Sequence, residues 1–414
     1  MGKNLLIFPT LVEAPFIIVK IGKYTFGNYT RTGPQKGFNT AVKVSYPNFM
    51  DNLTVTKVNG QINTYVINMV YGIQKGDDPN LLEKVFSSVA DTRRLTVSYG
   101  DWNSPSFIYR EEEAIITSVT SNTNFATSQI TYQIKCTSTS LNLKANRYNF
   151  PARVAKPSTI IKELLNNKAY GLTDVFYGMK DTRKVDKMNL ILSDDKAVKI
   201  EAKKKVDVID YLNYLVGCMT SVSNVSDKGL KDSRYKLNIV DDFSNELKGP
   251  YFQIVKIGVN EVMPDIDTYE VDVGFPSEDL VVGFTVNTDN LWSILYRNSE
   301  SLSTTQYVYK LNDDGVIESQ YSPNVTTSPT YQYSTQYDKE WWSQVTQFPI
   351  TATLTIKGLI RPAILMSYVK VNAVFYGQPH ISTGLYIITK QVDTINSSGY
   401  RTTLSLTRIP GVDG

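Results

Sequence analysis

The sequence predicts a mainly β protein in which an α+β segment separates two β-rich parts. In residues 16–73 and 251–414, β-branched and aromatic side chains recur at every second position over many short runs, the pattern of half-buried strands. Two helical patterns lie between these parts. The 27 tyrosines, with abundant Thr, Ser, Asn and Val, are typical of sheets with large contact surfaces. A chain of 414 residues exceeds what one hydrophobic core usually organises, so we expect more than one domain.

Composition argues against several classes of function. The 43 basic and 40 acidic residues leave a net charge of only +3, which gives no electrostatic support for nucleic-acid-specific binding. No run approaches 18 apolar residues, so we predict no transmembrane helix and no stable membrane insertion. The N-terminal apolar stretches are interrupted by Pro9, Glu13 and Pro15, which does not match a signal peptide.

The first β-rich part covers residues 1–150. Its runs "FIIVKIGKYTFG" (16–27) and "NTYVINMVYGI" (63–73) predict strands. "GDDPNLLEKVFSSVAD" changes to helical spacing and predicts one helix near 79–90, with Asp78 as N-cap and Pro79 at its first position. "EAIITSVTSNTNFATSQITYQIKCTS" (113–138) then predicts a hairpin that closes this part.

The α+β segment covers residues 151–250. "KPSTIIKELLNNKAYG" predicts a helix with Ser158 as N-cap and Gly171 as its stop, and "VDVIDYLNYLVGCMTSV" predicts a second helix with Asp207 as N-cap. The charge runs at 203–205 (KKK) and, in the first part, at 111–113 (EEE) are interpreted as solvated strand ends.

The second β-rich part, 251–414, ends on "GLYIITKQVDTINSSGYRTTLSLTR" (384–408), again a strand, a polar turn and a strand. It also contains a polar, turn-rich excursion at 297–345, which is too long for an ordinary loop. Trp341 and Trp342 lie in this excursion and are our candidates for partner contact. The alternative is that they anchor the excursion on the core.

Two short repeats link the β-rich parts. "IVKIG" occurs at 18–22 and 254–258, and "IIT" occurs at 115–117 and 387–389, where it opens each closing hairpin. One interpretation is coincidence, because β-rich sequences generate such matches readily. The other is duplication of one kind of β-domain, which the hairpin pair supports better than the "IVKIG" pair.

Candidate chemistry is sparse. Cys136, Cys218 and the single histidine, His380, cannot form a zinc site by themselves; we expect buried reduced thiols, with a disulfide as the alternative. His380 follows a proline in a predicted turn without a nucleophile motif. The Asp-Asp pairs at 77–78, 194–195, 241–242 and 313–314 could be metal or glycosidase carboxylates, but their contexts favour turns and caps. We therefore predict no catalytic, cofactor-binding or metal-binding residue.

Several segments resemble one family. "PFIIVKIGKYTFG" (15–27), the segment 358–393 and "SGYRTTLSLTRIPG" (398–411) are similar in pattern to the central hub proteins of contractile phage tails and their relatives, the VgrG spike proteins of type VI secretion. The two helical segments are similar to the middle region of that family. The resemblance covers most of the chain, although no single motif in it is specific.

The resemblance implies two tube-like antiparallel β-barrel domains, 1–150 and 251–414, flanking a smaller mixed α/β domain at 151–250. It implies a non-enzymatic homotrimeric baseplate hub without cofactors, in which duplicated domains present a pseudo-sixfold face to the tail tube protein and a threefold end to the spike protein. Other baseplate proteins would be further partners, and the location would be the virion, assembled in the host cytoplasm. A tube-terminator or secretion-apparatus spike hub is the alternative, and a carbohydrate-binding or hydrolytic tail protein is a third possibility.

Overall fold

The computed structural model describes a large part of the chain. The described residues are 15–28, 46–47, 50–73, 75–88, 94–101, 109–170, 176–179, 197–219, 234–240, 251–257, 267–273, 281–288, 307–311, 317–321, 350–357, 365–366, 368–380 and 382–408. Trp341, Trp342, Gly171 and the Asp pairs at 194–195, 241–242 and 313–314 lie outside these residues, as does most of the 297–345 excursion.

The protein is mainly β, as predicted. The strands of the first part are β1 (Pro15–Ile21), β2 (Tyr24–Gly27), β3 (Tyr46–Pro47), β4 (Met50–Val58), β5 (Thr64–Gly72), β6 (Arg94–Asp101), β7 (Tyr109–Asn124) and β8 (Gln129–Ser138). The strands of the middle are β9 (Tyr148–Phe150), β10 (Arg153–Ala155), β11 (Phe176–Met179), β12 (Val198–Ile200), β13 (Lys203–Val206), β14 (Arg234–Val240) and β15 (Tyr251–Ile257). The remaining strands are β16 (Asp267–Val273), β17 (Val281–Thr288), β18 (Tyr307–Leu311), β19 (Ile317–Tyr321), β20 (Ile350–Lys357), β21 (Tyr368–Phe375), β22 (Gln378–Pro379), β23 (Gly384–Asn396) and β24 (Gly399–Arg408).

The described helices are short. They are α1 (Leu81–Ser88), α2 (Asn142–Ala145), α3 (Pro157–Asn166) and α4 (Val208–Cys218), with 3-10 turns at Thr139–Leu141 and Lys168–Tyr170.

One large sheet joins the two β-rich parts. Fifteen strands belong to it, and its main path runs β17-β20-β24-β23-β4-β5-β8-β7-β6-β1-β2-β3. Strands β16, β21 and β22 branch from β23 through β21. Nearly all pairs are antiparallel; β16–β21 and β2–β3 are the parallel pairs in this sheet. Within the described residues the sheet is open, so the prediction of two closed barrels is not reproduced as such.

Strict alternation of side chains decides which face of the sheet is buried. In β4 and β5 every second residue is buried, and the same holds along β8 and β24. The buried faces form two clusters: one collects side chains of β1, β4 to β8 and α1, and the other those of β20, β21, β23 and β24. Ile395 and Tyr400 of the C-terminal hairpin lie in the first cluster, so the two β-rich parts share packing.

The helices follow the predicted apolar faces, but two of the three predicted N-caps are misassigned. Asp207 is the N-cap of α4, as predicted: its side chain accepts a hydrogen bond from the Asp210 amide at 2.8 Å. In α3 the prediction of Ser158 as N-cap is wrong, because the helix begins at Pro157 and its cap is Lys156, two residues earlier than predicted. Proline fits the first helical turn because its missing N–H has no partner to lose there. In α1, the predictions of Asp78 as N-cap and Pro79 at the first helical position are wrong, because the helix begins at Leu81; the Asp78 side chain accepts from the Asn80 amide in the turn before it.

The middle segment has its own core. Ile160, Leu164, Leu212 and Leu215 lie in a cluster of buried side chains that α3 and α4 form with the strands around them. Strand β15 pairs with β11 and β14 in a separate three-stranded sheet, whereas β1 pairs with β2 and β6 in the large sheet. The two "IVKIG" copies therefore occupy non-equivalent positions, and that pair does not reflect a duplication.

Cys136 and Cys218 are both buried and free, so the prediction of reduced thiols is confirmed and the disulfide alternative is wrong. Burial raises the pKa of the Cys136 thiol to about 12.

Candidate subunit interface

Five strands of the first part recur in the second part with the same neighbours. The first part has the order β4-β5-β8-β7-β6, and the second has β17-β20-β24-β23-β21. The sequence of these strands along the chain is also the same in both sets, and every pairing among them is antiparallel. We call each set a five-strand unit. The units differ beyond β6 and β21, because β1 is antiparallel to β6 whereas β16 is parallel to β21.

The closing hairpins agree residue by residue. Ile116 pairs with Cys136 and Ile388 with Leu406, and in both hairpins the next residue, Thr117 or Thr389, is an extra residue that forms a β-bulge. Each of these threonines donates its Oγ1 hydrogen to the carbonyl opposite, at 2.9 Å to residue 135 and 3.2 Å to residue 405. Because a bulge interrupts the pairing of only one strand, the same bulge in both copies is strong support for a repeated unit.

The first strands of the two units also agree. Both β4 and β17 contain a register shift near their beginning, at Asp51 in β4 and at Val282 in β17. Aligning these shifts makes Leu53 equivalent to Phe284 and Val55 equivalent to Val286. The "IIT" repeat was therefore a correct signal of duplication, although it covered only three residues of a much longer match.

The two units are joined inside the chain by strand pairing. Residues 390–396 of β23 pair antiparallel with residues 52–58 of β4, from Lys390 opposite Val58 to Asn396 opposite Asn52. The Asn59 amide continues the ladder by donating to the Thr389 carbonyl at 3.0 Å. We call this pairing the joint. In the joint, the second half of β23, the long hairpin strand of the second unit, pairs with β4, the first strand of the first unit.

The strands equivalent to those of the joint are edges at the other ends of the units. In the part of the chain that the structure describes, residues 118–124 of β7 pair only with β8, and β17 pairs only with β20. Val119 is 38% exposed, whereas its equivalent in the joint, Gln391, is 1% exposed. Phe284 and Val286 are half-buried, whereas Leu53 and Val55 are fully buried. The two edges thus have the exposure expected when a covering strand is absent.

Polar side chains are buried at the joint. Lys57 Nζ lies 2.8 Å from Glu112 Oε1, and the side chains are only 7% and 0% exposed. Tyr65 and Tyr99 donate their hydroxyls to the same carboxylate at 2.5 Å and 2.9 Å. The interpretation of the 111–113 run as solvated is therefore wrong for Glu112, which points into the core while Glu113 is exposed. Strands β4 and β7 have two other strands, β5 and β8, between them in the sheet, so their contact shows that the first unit curls strongly around its core.

The two ends of the large sheet differ. Strands β7 and β23 run in the same direction, so the hairpin turns at 125–128 and 397–398 lie at one end. The opposite end carries the middle segment: the Asn213 side chain of α4 donates to the Gly60 carbonyl in the β4–β5 turn at 3.0 Å. Gly60 has φ +69, and a Cβ there would lie 2.6 Å from Asn213 Oδ1, so only glycine fits this contact. One end thus has two equivalent hairpin tips, and the other has one middle segment.

The outward face of the eight strands from β17 to β7 is polar and weakly basic. Between the bulges and the hairpin tips, threonine is its commonest residue, and the charged side chains on this face are Lys135, Lys357, Lys390 and Arg401. All of these positions are described, and none of them is an Asp or Glu. Such a face suits contact with water rather than burial in a core.

The other sequence candidates form no chemical site. His380 Nδ1 lies 2.7 Å from Ser382 Oγ and accepts from the Ser382 amide, which is a local turn contact. Within the described ranges, no group of three His, Cys, Asp or Glu side chains has the arrangement of metal ligands. No helix there is long and apolar enough to cross a membrane.

Comparison with known proteins gives structural neighbours only. No family model and no curated protein matches the chain. Among solved structures, the prophage MuSo2 43 kDa tail protein of Shewanella oneidensis matches with 10% identity and a TM-score of 0.49, over 95% of this chain and 97% of that one. A tail protein of Neisseria meningitidis MC58 gives the same four values. The E. coli type VI secretion component c3393, itself similar to T4 bacteriophage tail proteins, matches with 10% identity and a TM-score of 0.44, over 90% and 76% of the two chains.

These neighbours are phage tail and type VI secretion proteins, the same classes that the sequence resemblance named. At such identities and TM-scores, the likeness carries no argument about this chain. The function must therefore be argued from its own strand pairing.

Proposed function

We propose that this chain is a structural, non-enzymatic hub of a contractile tail or related secretion spike, in which three copies close into a ring. The observation that carries the proposal is the joint, because it is one instance of a contact that the repeated units can make again. Each chain has one joint inside it and retains one edge of each kind. Between chains, β17 of a neighbouring copy would pair with β7 in the same way that β4 pairs with β23 inside the chain.

The joint supplies the register of this contact. Thr394 lies opposite Thr54 in the joint, and their equivalents in the outer edges are Asn122 and Thr285. We therefore expect Asn122 of one copy to lie opposite Thr285 of the next, and Asn124 opposite Gly283. Pairing of this kind would satisfy the backbone groups of both edges, which otherwise invite nonspecific association.

Each copy would use its β7 edge to contact the β17 edge of the next copy, so the contact is head-to-tail. Such a contact produces a closed ring when the rotation between neighbouring copies adds up to a full turn. Three chains would contribute six five-strand units, two tube-like barrel units per chain at 1–150 and 251–414 around an α+β unit at 151–250. Six hairpin tips would lie at one end, where they suit a sixfold tube, and three middle segments would lie at the other, where they suit a threefold spike. The threonine-rich outward face would then line the inside of the ring.

The proposed setting is the virion tail, with tube, spike and other baseplate proteins as partners. Assembly in the reducing cytoplasm of the host is supported by the two buried free thiols. Trp341 and Trp342 stay candidates for contact with these partners.

The experiment is disulfide trapping of the expected seam. The variant Asn122→Cys/Thr285→Cys should form an interchain disulfide on mild oxidation, and the largest crosslinked product should be a trimer. The matched control Asn122→Cys/Asn287→Cys moves one cysteine by two residues, about 7 Å along β17, and should react much less.

Light scattering on the parent chain should give three times the chain mass. A stable monomer without the Asn122–Thr285 disulfide would refute the ring. Efficient crosslinking of the control pair alone would refute the register and keep the ring.

A further inference from the structure

The buried polar side chains on the two sides of the joint form one group. Lys57 of β4 bonds to Glu112, and its register partner across the joint is Gln391 of β23. Gln391 donates to one oxygen of Asp393 at 2.7 Å, and Thr402 donates to the other at 2.6 Å. All five residues are at most 6% exposed. Asp393 lies opposite Val55, so Lys57 is its diagonal neighbour across the joint; diagonal positions are about 7–8 Å apart, which is within reach of a long side chain.

The outer edges lack this group. On β7, Val119 and Ser121 occupy the positions equivalent to Gln391 and Asp393, and both are exposed. On β17, the register equivalent of Lys57 is Thr288, and Val286 would lie opposite the residue at the Asp393 position. The joint and the expected seam thus have the same backbone geometry but different chemistry.

We propose that the group of Lys57, Glu112, Gln391, Asp393 and Thr402 is a specificity key that directs β23 to β4 and keeps it from exchanging with the edges of a second copy. The proposal rests on the proposed ring for the identity of that competitor. Asp393 faces Val55 in the joint; if β23 covered a neighbour's β17, it would face Val286, and Thr288 would replace Lys57 at the diagonal position. Because burying a charge away from its partners is costly, the exchanged pairing is disfavoured. Single buried polar residues are known to set pairing in this way in coiled coils.

The first test removes the three charges together. The neutral variant Lys57→Met/Glu112→Gln/Asp393→Asn keeps side-chain size. The substitutions Thr54→Cys/Thr285→Cys/Thr394→Cys, all on the outward face of the sheet, offer position 394 a disulfide partner in its own β4 and another in a neighbour's β17. After refolding at high chain concentration and oxidation, the chain with the native key should give an intrachain disulfide almost exclusively. The neutral variant should give at least a tenfold larger share of interchain disulfide.

The second test transfers part of the key to β7. Val119→Gln/Ser121→Asp changes exposed side chains only, so folding is not at risk, and Asn122→Cys/Thr54→Cys reports pairing of β7 with a neighbour's β4. Because β23 already covers β4, the graft must compete with it during refolding, so we expect this reporter to give a several-fold larger share of interchain disulfide with the graft than without it. If the neutral variant does not refold, the graft experiment alone tests the proposal.

A folded neutral variant whose joint stays wholly intrachain, or a graft that gives no larger share of interchain disulfide, would overturn the key. These outcomes are independent of the ring. The ring is tested by the disulfide between positions 122 and 285 and by the mass of the parent chain. The joint is tested by the disulfide between positions 54 and 394, which can form even in a monomer.

Discussion

The buried pair of Lys57 and Glu112 gives the sharpest stability prediction. We consider Lys57→Met, which removes the ammonium group and keeps most of the side-chain volume. The Glu112 carboxylate is fully buried, so the substitution leaves it with its two tyrosine donors and no cation at 2.8 Å. Water cannot replace the lost partner at a site that is closed on all sides.

The expected magnitude follows from this burial. Breaking one side of a buried ion pair costs about 3–5 kcal/mol, because a charge stays behind without compensation. Glu112→Gln should cost a similar amount by isolating the ammonium group. The double variant Lys57→Met/Glu112→Gln should cost only about 1 kcal/mol, because neutral groups of similar volume often replace a buried pair with little change. The coupling energy between the two sites would then be several kcal/mol.

Urea unfolding followed by circular dichroism measures all four chains of this cycle. The two single variants should have clearly lower midpoints than the parent, and the double variant should recover most of the loss. Lys135→Met, which removes an exposed lysine from a neighbouring strand, is the matched control and should change stability by less than about 0.5 kcal/mol. A single variant within about 1 kcal/mol of the parent would show that the site is hydrated, and the reasoning would fail.

Four further predictions test other parts of the molecule. With its pKa raised to about 12 by burial, Cys136 should not react with an aromatic disulfide reagent at pH 8 until denaturant is added. Asp207→Ala should destabilise α4 by about 1–2 kcal/mol in thermal unfolding through loss of the N-cap. Asp210→Asn should have the opposite sign at neutral pH: desolvation and the Asp207 charge raise the pKa of Asp210, so its ionised form opposes folding. Because Asp210 is exposed to solvent, which screens this effect, the gain should be small, and it should vanish as pH falls towards 3.8. Thr389→Val, at a half-buried bulge, should cost about 1 kcal/mol, and the matched exposed Thr117→Val should cost less, because water replaces its bond.

Local features were predictable from the sequence because they depend on neighbouring residues. The alternation in "NTYVINMVYGI" corresponds to β5, with every second side chain buried. Asp207 precedes an apolar helical stripe, and its cap is present. The "IIT" repeat found the two closing hairpins because the bulge threonine is retained in both. The prediction of Ser158 as N-cap failed because serine commonly caps helices, whereas the preceding Pro157 fits the first helical turn equally well.

Long-range features were not predictable. Nothing in the local pattern of β23 indicates that its second half pairs with β4, more than 300 residues away in the sequence. The run at 111–113 has the composition of a solvated strand end, yet alternation turns Glu112 inward, where Lys57 and two tyrosines from other strands compensate it. An inward acidic residue with a distant lysine partner becomes visible only once the strand register is known.

Duplication explains why one chain contains both a completed contact and two uncompleted ones. If the two units were identical, β23 could pair equally well with its own β4 or with a neighbour's β17, and assembly would give chains of undefined order. Divergence at a few buried positions removes this ambiguity: Gln391 and Asp393 differ from Val119 and Ser121 although the strands that carry them share one backbone register. The polar group is therefore located where a repeated fold needs an asymmetry, at the contact that must form within the chain before any contact between chains.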